Sequence, residues 1–576
     1  MFERILDKIP ENYKRQPGKV SGKTIFLGLD GIEPSIFYKL LDEGKLPNFS
    51  KIKSNGLYGN TITSIPNESL LCWTIMYTGK NSGKLGLLGY WKKNKNGYNY
   101  IYSEVNNIPS PDIFDYCLYY DKKIFSVGMI GTFPPKPVNG VLVCGPLSYD
   151  EKCFTFPADI TPIILEEGYV IRASQYMSES EILNGITKRF ELGKLLMNYG
   201  NWDIFMLGSE FTDTVGHYWW NKRPEFIEEV YMLCDKKLGE IIDICGEENN
   251  YIILSDHGMG PRKYRWNLGK WLIDEKFMFV KTDDERKKES DFTKNRLRKQ
   301  FYDNLKKEDT GSLKKILKRC AFELWLLKQN IPVLNKMKIP FMKRPVGAHN
   351  ENLIIPGTNS PIDYNKSLAF HHIPNLGRVA GIYLNFMPMN PAAPIKSVSE
   401  YENIRNTLIE KLKKVSDEKT GNPIIKNVWK REELYSGAYT NELFDIIIEF
   451  NEDYTDFEDS KDFYKMENIR TLAEPVIYHR EKGIFFAAGH CFNGKNVAVR
   501  IHDVYSILSY LLDLPVYKNV DSKLDKSLFN DNFNATHKYE IIDNEPEKGR
   551  KEHLLSEDEL NYVKKNLNKL GYLKKK

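Results

Sequence analysis

The chain has 576 residues, 41% of them hydrophobic and 28% charged, an ordinary balance for a globular protein with a sizeable core. Its formal net charge of +5 is too dilute over that length to argue for a nucleic-acid partner. No stretch reaches the ~18 consecutive apolar residues that a membrane helix needs, and the eight Cys show neither a CxxC pair nor a regular framework, so they read as reduced thiols.

The opening segment, MFERILDKIPENYKRQPGKV, is polar and mixed in charge. It lacks the apolar h-region and small-residue cleavage site of a signal peptide. A cytoplasmic protein is expected, with residues 1–21 as an N-terminal extension. The run TIFLGL (24–29) then reads as a buried strand ending in Asp30-Gly31. SIFYKLLDEGKLPNFSKIKSNG carries helical periodicity broken at Gly and Pro. After the stretch PNESLLCWT come KIFSVGMI, GVLVCG, WDIFMLGS and YIILSD, each strand-like, with helical patterns between several of them. Strands alternating with helices predict an α/β fold, a mostly parallel sheet covered by helices on both faces. In such folds the ligand site lies beyond the carboxyl ends of the strands. Asp30 and Asp256 fall at such ends, and Asp213 just past one.

The pattern changes near residue 280. From Lys281 to Pro345 basic residues outnumber acidic ones by about two to one and the spacing is helical. Residues 281–364 are therefore expected to be a basic, mostly helical insertion, either a solvated appendage or a lid. Strand-like runs resume at GIYLNF (381–386), LFDIIIEF (443–450) and GIFFAAG (483–489), which would complete the core sheet. The core is thus expected over 22–280 and 365–537. In the charged segment 538–576, Ser556 with Glu559 forms a capping box ahead of Leu560, Val563, Leu567 and Leu570 at helical spacing. That predicts a C-terminal helix packed on the core.

Seven residues carry chemistry: Asp30, Ser69, Asp213, His217, Asp256, His257 and His479. Asp213 and His217, four apart, would share one helical face and reach a common ion. Asp256 and His257, adjacent at a strand end, can both reach one ion in the turn that follows. Each match has a bland alternative: a capping Asp-His, a chance spacing, a surface His. In this order, after strand-like runs, they form a set able to hold two divalent metals and a nucleophile. A serine hydroxyl is a weak nucleophile until a metal or a base activates it. Two metals about 4 Å apart can clamp the attacking and leaving oxygens of an in-line displacement at phosphorus. Mixed Asp/His ligands suit zinc, with manganese as the second choice.

The chain resembles the alkaline phosphatase superfamily, in its type I phosphodiesterase/nucleotide pyrophosphatase-like branch of phosphohydrolases and phosphomutases. The resemblance rests on FLGLDGIEPSIFYKLLDEGKLPNFSKIKSNGLYG, on SLLCWTIMYTGKNSGKLG with Ser69 nine residues ahead of Thr78-Gly79, and on three later stretches in the family order. These are FPPKPVNGVLVCGPLS, HGMGPRKYRWNLGKWLIDE and HDVYSILSYLLDLPV. It implies an alkaline phosphatase-like core with a helical insertion. Asp30, Asp256 and His257 would hold the metal that activates Ser69. Asp213, His217 and His479 would hold the second, facing the leaving group. The implied activity is phosphoester hydrolysis through a phosphoserine on Ser69, with a phosphodiester favoured and a small molecule or headgroup as substrate.

Two positions depart from the pattern. Relatives usually carry a phosphate-binding Asn where a gapless count from Ser69 arrives at Tyr90, and GKHG is replaced by Gly83-Lys84-Leu85-Gly86. Lys80, Lys84 and Arg480 are candidates for the missing phosphate partner. His371, His372 and His490 stand outside the catalytic set. Leu71 and Trp73 occupy positions where a sulfatase would have Pro and Arg, which disfavours formylglycine chemistry. A phosphomutase, phosphotransferase or phosphomonoesterase would use the same residues. A nucleic-acid or membrane-surface binding protein, argued from the basic insertion, is the more distant reading.

Overall fold

The computed structural model describes residues 2–94, 98, 100–103, 108–146, 153–307, 319, 320, 323, 361–371, 377–387, 392–456 and 463–549. In chain order, the first strands are β1 (Thr24–Leu29) and β2 (Gly56–Ile62), with helices α1 (Pro34–Asp42) and α2 (Pro47–Asn55) between them. Helix α3 (Ser69–Thr78) follows, then β3 (Ile124–Val127), β4 (Gly140–Val143) and β5 (Thr155–Phe156). Next come α4 (Glu179–Tyr199), β6 (Ile204–Ser209), α5 (Phe211–Trp219), α6 (Pro224–Cys245), β7 (Asn250–Leu254) and β8 (Gly258–Trp266). Helix α7 (Asp283–Lys307) opens the predicted insertion. The second half contributes β9 (Ala369–Phe370), β10 (Val379–Leu384), α8 (Val398–Leu412), β11 (Ile425–Lys430), β12 (Ile446–Phe450) and β13 (Tyr454–Asp456). It continues with β14 (Ile469–Arg480), β15 (Lys482–Ala488), β16 (Asn496–Arg500) and α9 (Asp503–Leu511).

Nine strands form the main sheet in the order β16-β2-β15-β7-β1-β6-β3-β4-β5. The five central strands from β7 to β4 run parallel, while β15 and the edge strand β5 are antiparallel to their neighbours. All six residues of β1 are buried, as a strand covered on both faces requires. Helices α1, α2, α4 and α5 pack around α6, and α3 packs with α9, so the sheet is covered on both sides. The seat of α3 depends on Gly28: a Cβ there would lie 2.6 Å from the ring of Trp73. The missing side chain lets the helix that begins with Ser69 approach β1.

Two predicted strands belong elsewhere. GIYLNF and the IIIEF run form β10 and β12 of a separate four-stranded sheet, β9-β10-β12-β11; GIFFAAG alone enters the main sheet, as β15. The separate sheet builds a second hydrophobic core with Trp266, Leu272, Phe370, Phe444 and Ile447. Apolar runs of strand length mark buried strands equally well in either sheet, so pattern alone could not assign them.

The antiparallel pair β8–β14 links this second core to the main sheet, with Gly258 opposite Arg480 and Met259 opposite His479. The described part of the predicted insertion is helical over α7; the predicted C-terminal helix beyond Ser556 and His372 lie outside the described residues. Among the described residues no helix is long and apolar enough to cross a membrane.

Candidate metal centre

The carboxyl ends of the central strands converge on one buried cluster that contains all seven residues singled out above. Asp30 directly follows β1, Ser69 opens α3, Asp213 and His217 lie one turn apart on α5, Asp256 and His257 join β7 to β8, and His479 sits near the end of β14. His257 Nε2 lies 3.3 Å from Asp30 Oδ1 and 3.5 Å from Asp256 Oδ2, with Ser69 Oγ at 3.1 Å. Asp213 Oδ1 lies 3.4 Å from His217 Nε2 and 3.5 Å from His479 Nε2, and those two nitrogens are 3.2 Å apart. The rings of His257 and His479 stack at 3.7 Å, so the two groups share a wall. Asp30, Asp256 and His257 form one set of candidate ligands, and Asp213 forms another with His257 and His479.

The loops at the strand ends lock these side chains in place. Gly31 adopts a left-handed conformation (φ +67°), and a Cβ there would meet the Asp213 side chain at 2.8 Å. Glycine is therefore required twice over, for the turn and for the closeness of the two carboxylates. Asp30 N donates to the Ser209 carbonyl at 3.0 Å, and Thr212 Oγ1 donates to the Asp30 carbonyl, tying β1 to the start of α5. Ser255 Oγ accepts from Ile32 N at 2.9 Å and donates to the His257 carbonyl. Glu33 accepts from Ser35 N at 3.2 Å and Met259 N at 3.1 Å. Sequence reasoning did not single out Glu33, Ser255, Asn67 or Glu68. Their one signal was adjacency to the predicted ligands, which does not distinguish a support from a bystander.

The imidazoles are oriented by the backbone. Nδ1 of His217, His479 and His257 lies 2.8, 2.8 and 3.1 Å from the carbonyls of Ile477, Asn67 and Gly258. A carbonyl only accepts, so each Nδ1 carries a proton, and each ring turns its Nε2 inward, where it is the atom able to take a cation once deprotonated. Without a cation, the charges in the cluster set each group differently. Burial, then repulsion from Asp256 and Asp213, pushes the Asp30 carboxyl well above the usual range. Burial does the same to Asp256, and burial followed by the His479 charge holds His257 well below the ordinary imidazole value. For Asp213, burial works upward but His217 and His479 outweigh it, and the carboxyl stays ionised. Burial alone would lower His479; the hydrogen bond and charge of Asp213 raise it instead, to about 9. Glu68, also buried, is pushed up by desolvation and drawn down by His479 and His217.

These residues fit divalent cations. Asp30 Oδ1 and Asp256 Oδ2 are buried with no hydrogen-bond partner, a costly arrangement that a cation would relieve. Three carboxylates, three inward Nε2 atoms and one hydroxyl supply donors for two ions.

The other candidates are occupied elsewhere. Lys80 pairs with Glu545 at 2.5 Å, Lys84 with Asp521 at 2.7 Å and Arg480 with Glu452 at 2.7 Å. His371 pairs with Asp456 near the second core, His490 is exposed, and Tyr90 is buried.

The family model for type I phosphodiesterase / nucleotide pyrophosphatase matches residues 24–336, more than half of the chain. Among solved structures, phosphonoacetate hydrolase from Sinorhizobium meliloti 1021 in complex with phosphonoacetate is similar in fold. Its TM-score is 0.51 at 15% identity, over 87% of this chain and 96% of that one. Human ectonucleotide pyrophosphatase / phosphodiesterase 5 has a TM-score of 0.48 at 14% identity, over 88% of this chain and 100% of that one. None of the curated protein sequences matches the chain. The family match, on an alkaline phosphatase-like α/β core with two adjoining groups of candidate metal ligands, means that the chain belongs to the type I phosphodiesterase/nucleotide pyrophosphatase family and is a metal-dependent hydrolase of phosphoric esters.

Proposed function

We propose that the protein cleaves phosphodiesters of small molecules or headgroups through a phosphoseryl intermediate on Ser69, using two divalent cations, zinc by preference and manganese as the alternative. The observation that carries this reading is Ser69 Oγ, 3.1 Å from His257 Nε2, at the start of a ten-residue helix. Asp30, Asp256 and His257 would hold one ion; Asp213, His217 and His479 would hold the other. Cations bound there would act as Lewis acids on the serine hydroxyl and on the phosphoryl oxygens.

The chain's own groups supply the rest. A phosphoryl group on Ser69 would lie at the N-terminus of α3, where a helix favours an anion. Ser69 Oγ loses its proton and bonds to phosphorus, the ester P–O bond opposite it breaks, and the leaving alkoxide takes up a proton. Water then attacks the phosphoseryl group, regenerating Ser69 and releasing the phosphate monoester. Burial of the cluster keeps water other than the attacking molecule from the reacting atoms. A cytoplasmic setting belongs to the same proposal, and the eight free thiols support it.

The test is hydrolysis of an aryl phosphodiester and the matching monoester by zinc- or manganese-loaded protein, with Ser69→Ala in parallel. Diester turnover that Ser69→Ala lowers by at least ~10³-fold is expected, since triad-type nucleophiles lose that much or more on removal. Ser69-dependent turnover of the monoester alone would replace the reading with a phosphatase or mutase. Diester turnover that survives Ser69→Ala would rule out the phosphoseryl step.

A further inference from the structure

We propose that Asn67 is a positioning residue that sets His479 for the second cation, an inference that rests on the two-ion reading above. Its backbone carbonyl accepts the Nδ1 proton of His479 at 2.8 Å. Its side chain binds the next residue of the same strand, Nδ2 donating to the Arg480 carbonyl at 3.1 Å. Asn67 is fully buried and stands two residues before Ser69. One residue thus ties the nucleophile's loop to two successive residues of β14. The clamp extends to the other imidazole, because His217 Nδ1 donates to Ile477 in that strand at 2.8 Å.

A carbonyl is aimed only as well as its own backbone is held. Other bonds anchor this loop: Thr63 N donates to the Glu481 carbonyl at 3.1 Å, Ser64 Oγ donates to the Pro66 carbonyl at 2.5 Å, and Tyr435 of the second core donates to the Ile65 carbonyl at 2.7 Å. The Thr63 and Ser64 hydroxyls also lie 3.2 and 3.4 Å from Cys72 Sγ. All of these hold the loop at residues before 67. The Asn67 amide attaches the loop to β14 at the carbonyl's own residue. Without it the loop stays packed, but the acceptor of His479 can turn away, and the tilt and tautomer of that ring are no longer fixed.

A second observation separates this role from mere packing. Asn67 Oδ1 is buried without a hydrogen-bond partner, and an unpaired buried amide oxygen costs stability. An apolar side chain would serve packing better; the amide serves the bond to Arg480. The clamp does not hold His257 directly, since that ring takes its own acceptor from Gly258.

The experiment is titration of the metal-free protein with Zn2+ against a chromophoric chelator, for wild type, Asn67→Ala and Asn67→Asp, with the Tm of each metal-free protein. Asn67→Asp keeps the shape but turns a second acceptor towards the Arg480 carbonyl. Wild type is expected to take up two ions. In both variants one Kd should stay at the wild-type value and the other should rise about 10–100-fold, the usual cost of losing an outer-shell partner, with Tm little changed for Asn67→Ala. Unchanged values for both ions would overturn the proposal. So would equal weakening of both ions with a fall in Tm, the pattern of a purely structural residue. Uptake of one ion by wild type would overturn the two-ion reading instead; an unchanged Kd for that ion in the variants would then overturn the Asn67 proposal as well.

Discussion

Protons and cations compete for the same atoms in this cluster. The inward Nε2 atoms and the carboxylates of Asp30 and Asp256 bind a metal only in their deprotonated forms. Burial raises both of those carboxyls, and Asp213 holds a proton on His479 up to about pH 9. At pH 7–8 the metal-free protein therefore carries at least the His479 proton, which binding must expel. Zn2+ binding is expected to release protons, and the apparent affinity is expected to fall as pH falls. Calorimetry in buffers of different ionisation enthalpy measures the number released; zero release or net uptake would contradict the assignment of these groups as ligands. At the same scale, the candidate ligand types were legible in the sequence because Asp and His beyond apolar runs announce themselves. The supports were not. Nothing in the chain reveals that Asn67, Glu33 or Ser255 folds back on a ligand, because a hydrogen bond to a backbone carbonyl leaves no spacing pattern.

Helix α5 shows how an element carries the chemistry. Asp213 and His217 face the site only if the start of the helix is held, and Glu210, just before it, forms a buried ion pair with Arg189 of α4. Arg189 also donates to the carbonyls of Val170 and Ile171 at 3.1 and 2.9 Å, while Glu210 accepts from Ala173 N at 2.8 Å. Arg189→Ala would leave a buried carboxylate without its partner, and the expected cost is about 3–5 kcal/mol. The double variant Arg189→Met/Glu210→Gln should recover much of that loss. Denaturant unfolding of the metal-free protein measures both; equal stabilities for the single variant and wild type would refute the role given to the pair. The helical spacing of Asp213 and His217 was readable in advance, whereas the ion pair behind them joins two helices that no local pattern connects.

Across the whole molecule, the metal cluster lies where three chain segments meet: the strand ends of the main sheet, the start of α3, and the β8–β14 pair reaching in from the second core. A cation that binds these segments when folded, and not when unfolded, stabilises the assembly as a unit. At 100 times its Kd, one ion would add about 2.7 kcal/mol. The Tm is therefore expected to rise with Zn2+ concentration and to drop when a chelator strips the ions. A Tm indifferent to Zn2+ across concentrations that saturate the titration would show that the site is not assembled from these segments.

Local pattern determined a good deal by itself. Continuous apolar runs ending in Asp, with helical stretches between them, were enough for a parallel sheet and for the end of it where the candidate residues gather, since burial on both faces demands such runs. Other features depended on contacts between residues far apart in the chain. The assignment of β10 and β12 to a separate sheet follows from pairing partners, which an apolar run does not specify. The nearness of His479 to His257 follows from the antiparallel register of β8 and β14, and that of Asp30 to Asp213 from a turn only Gly31 permits. The proton on each Nδ1 was decided by backbone carbonyls brought there by folding. Side-chain type is written in the chain, but orientation and protonation belong to the tertiary contacts that surround it.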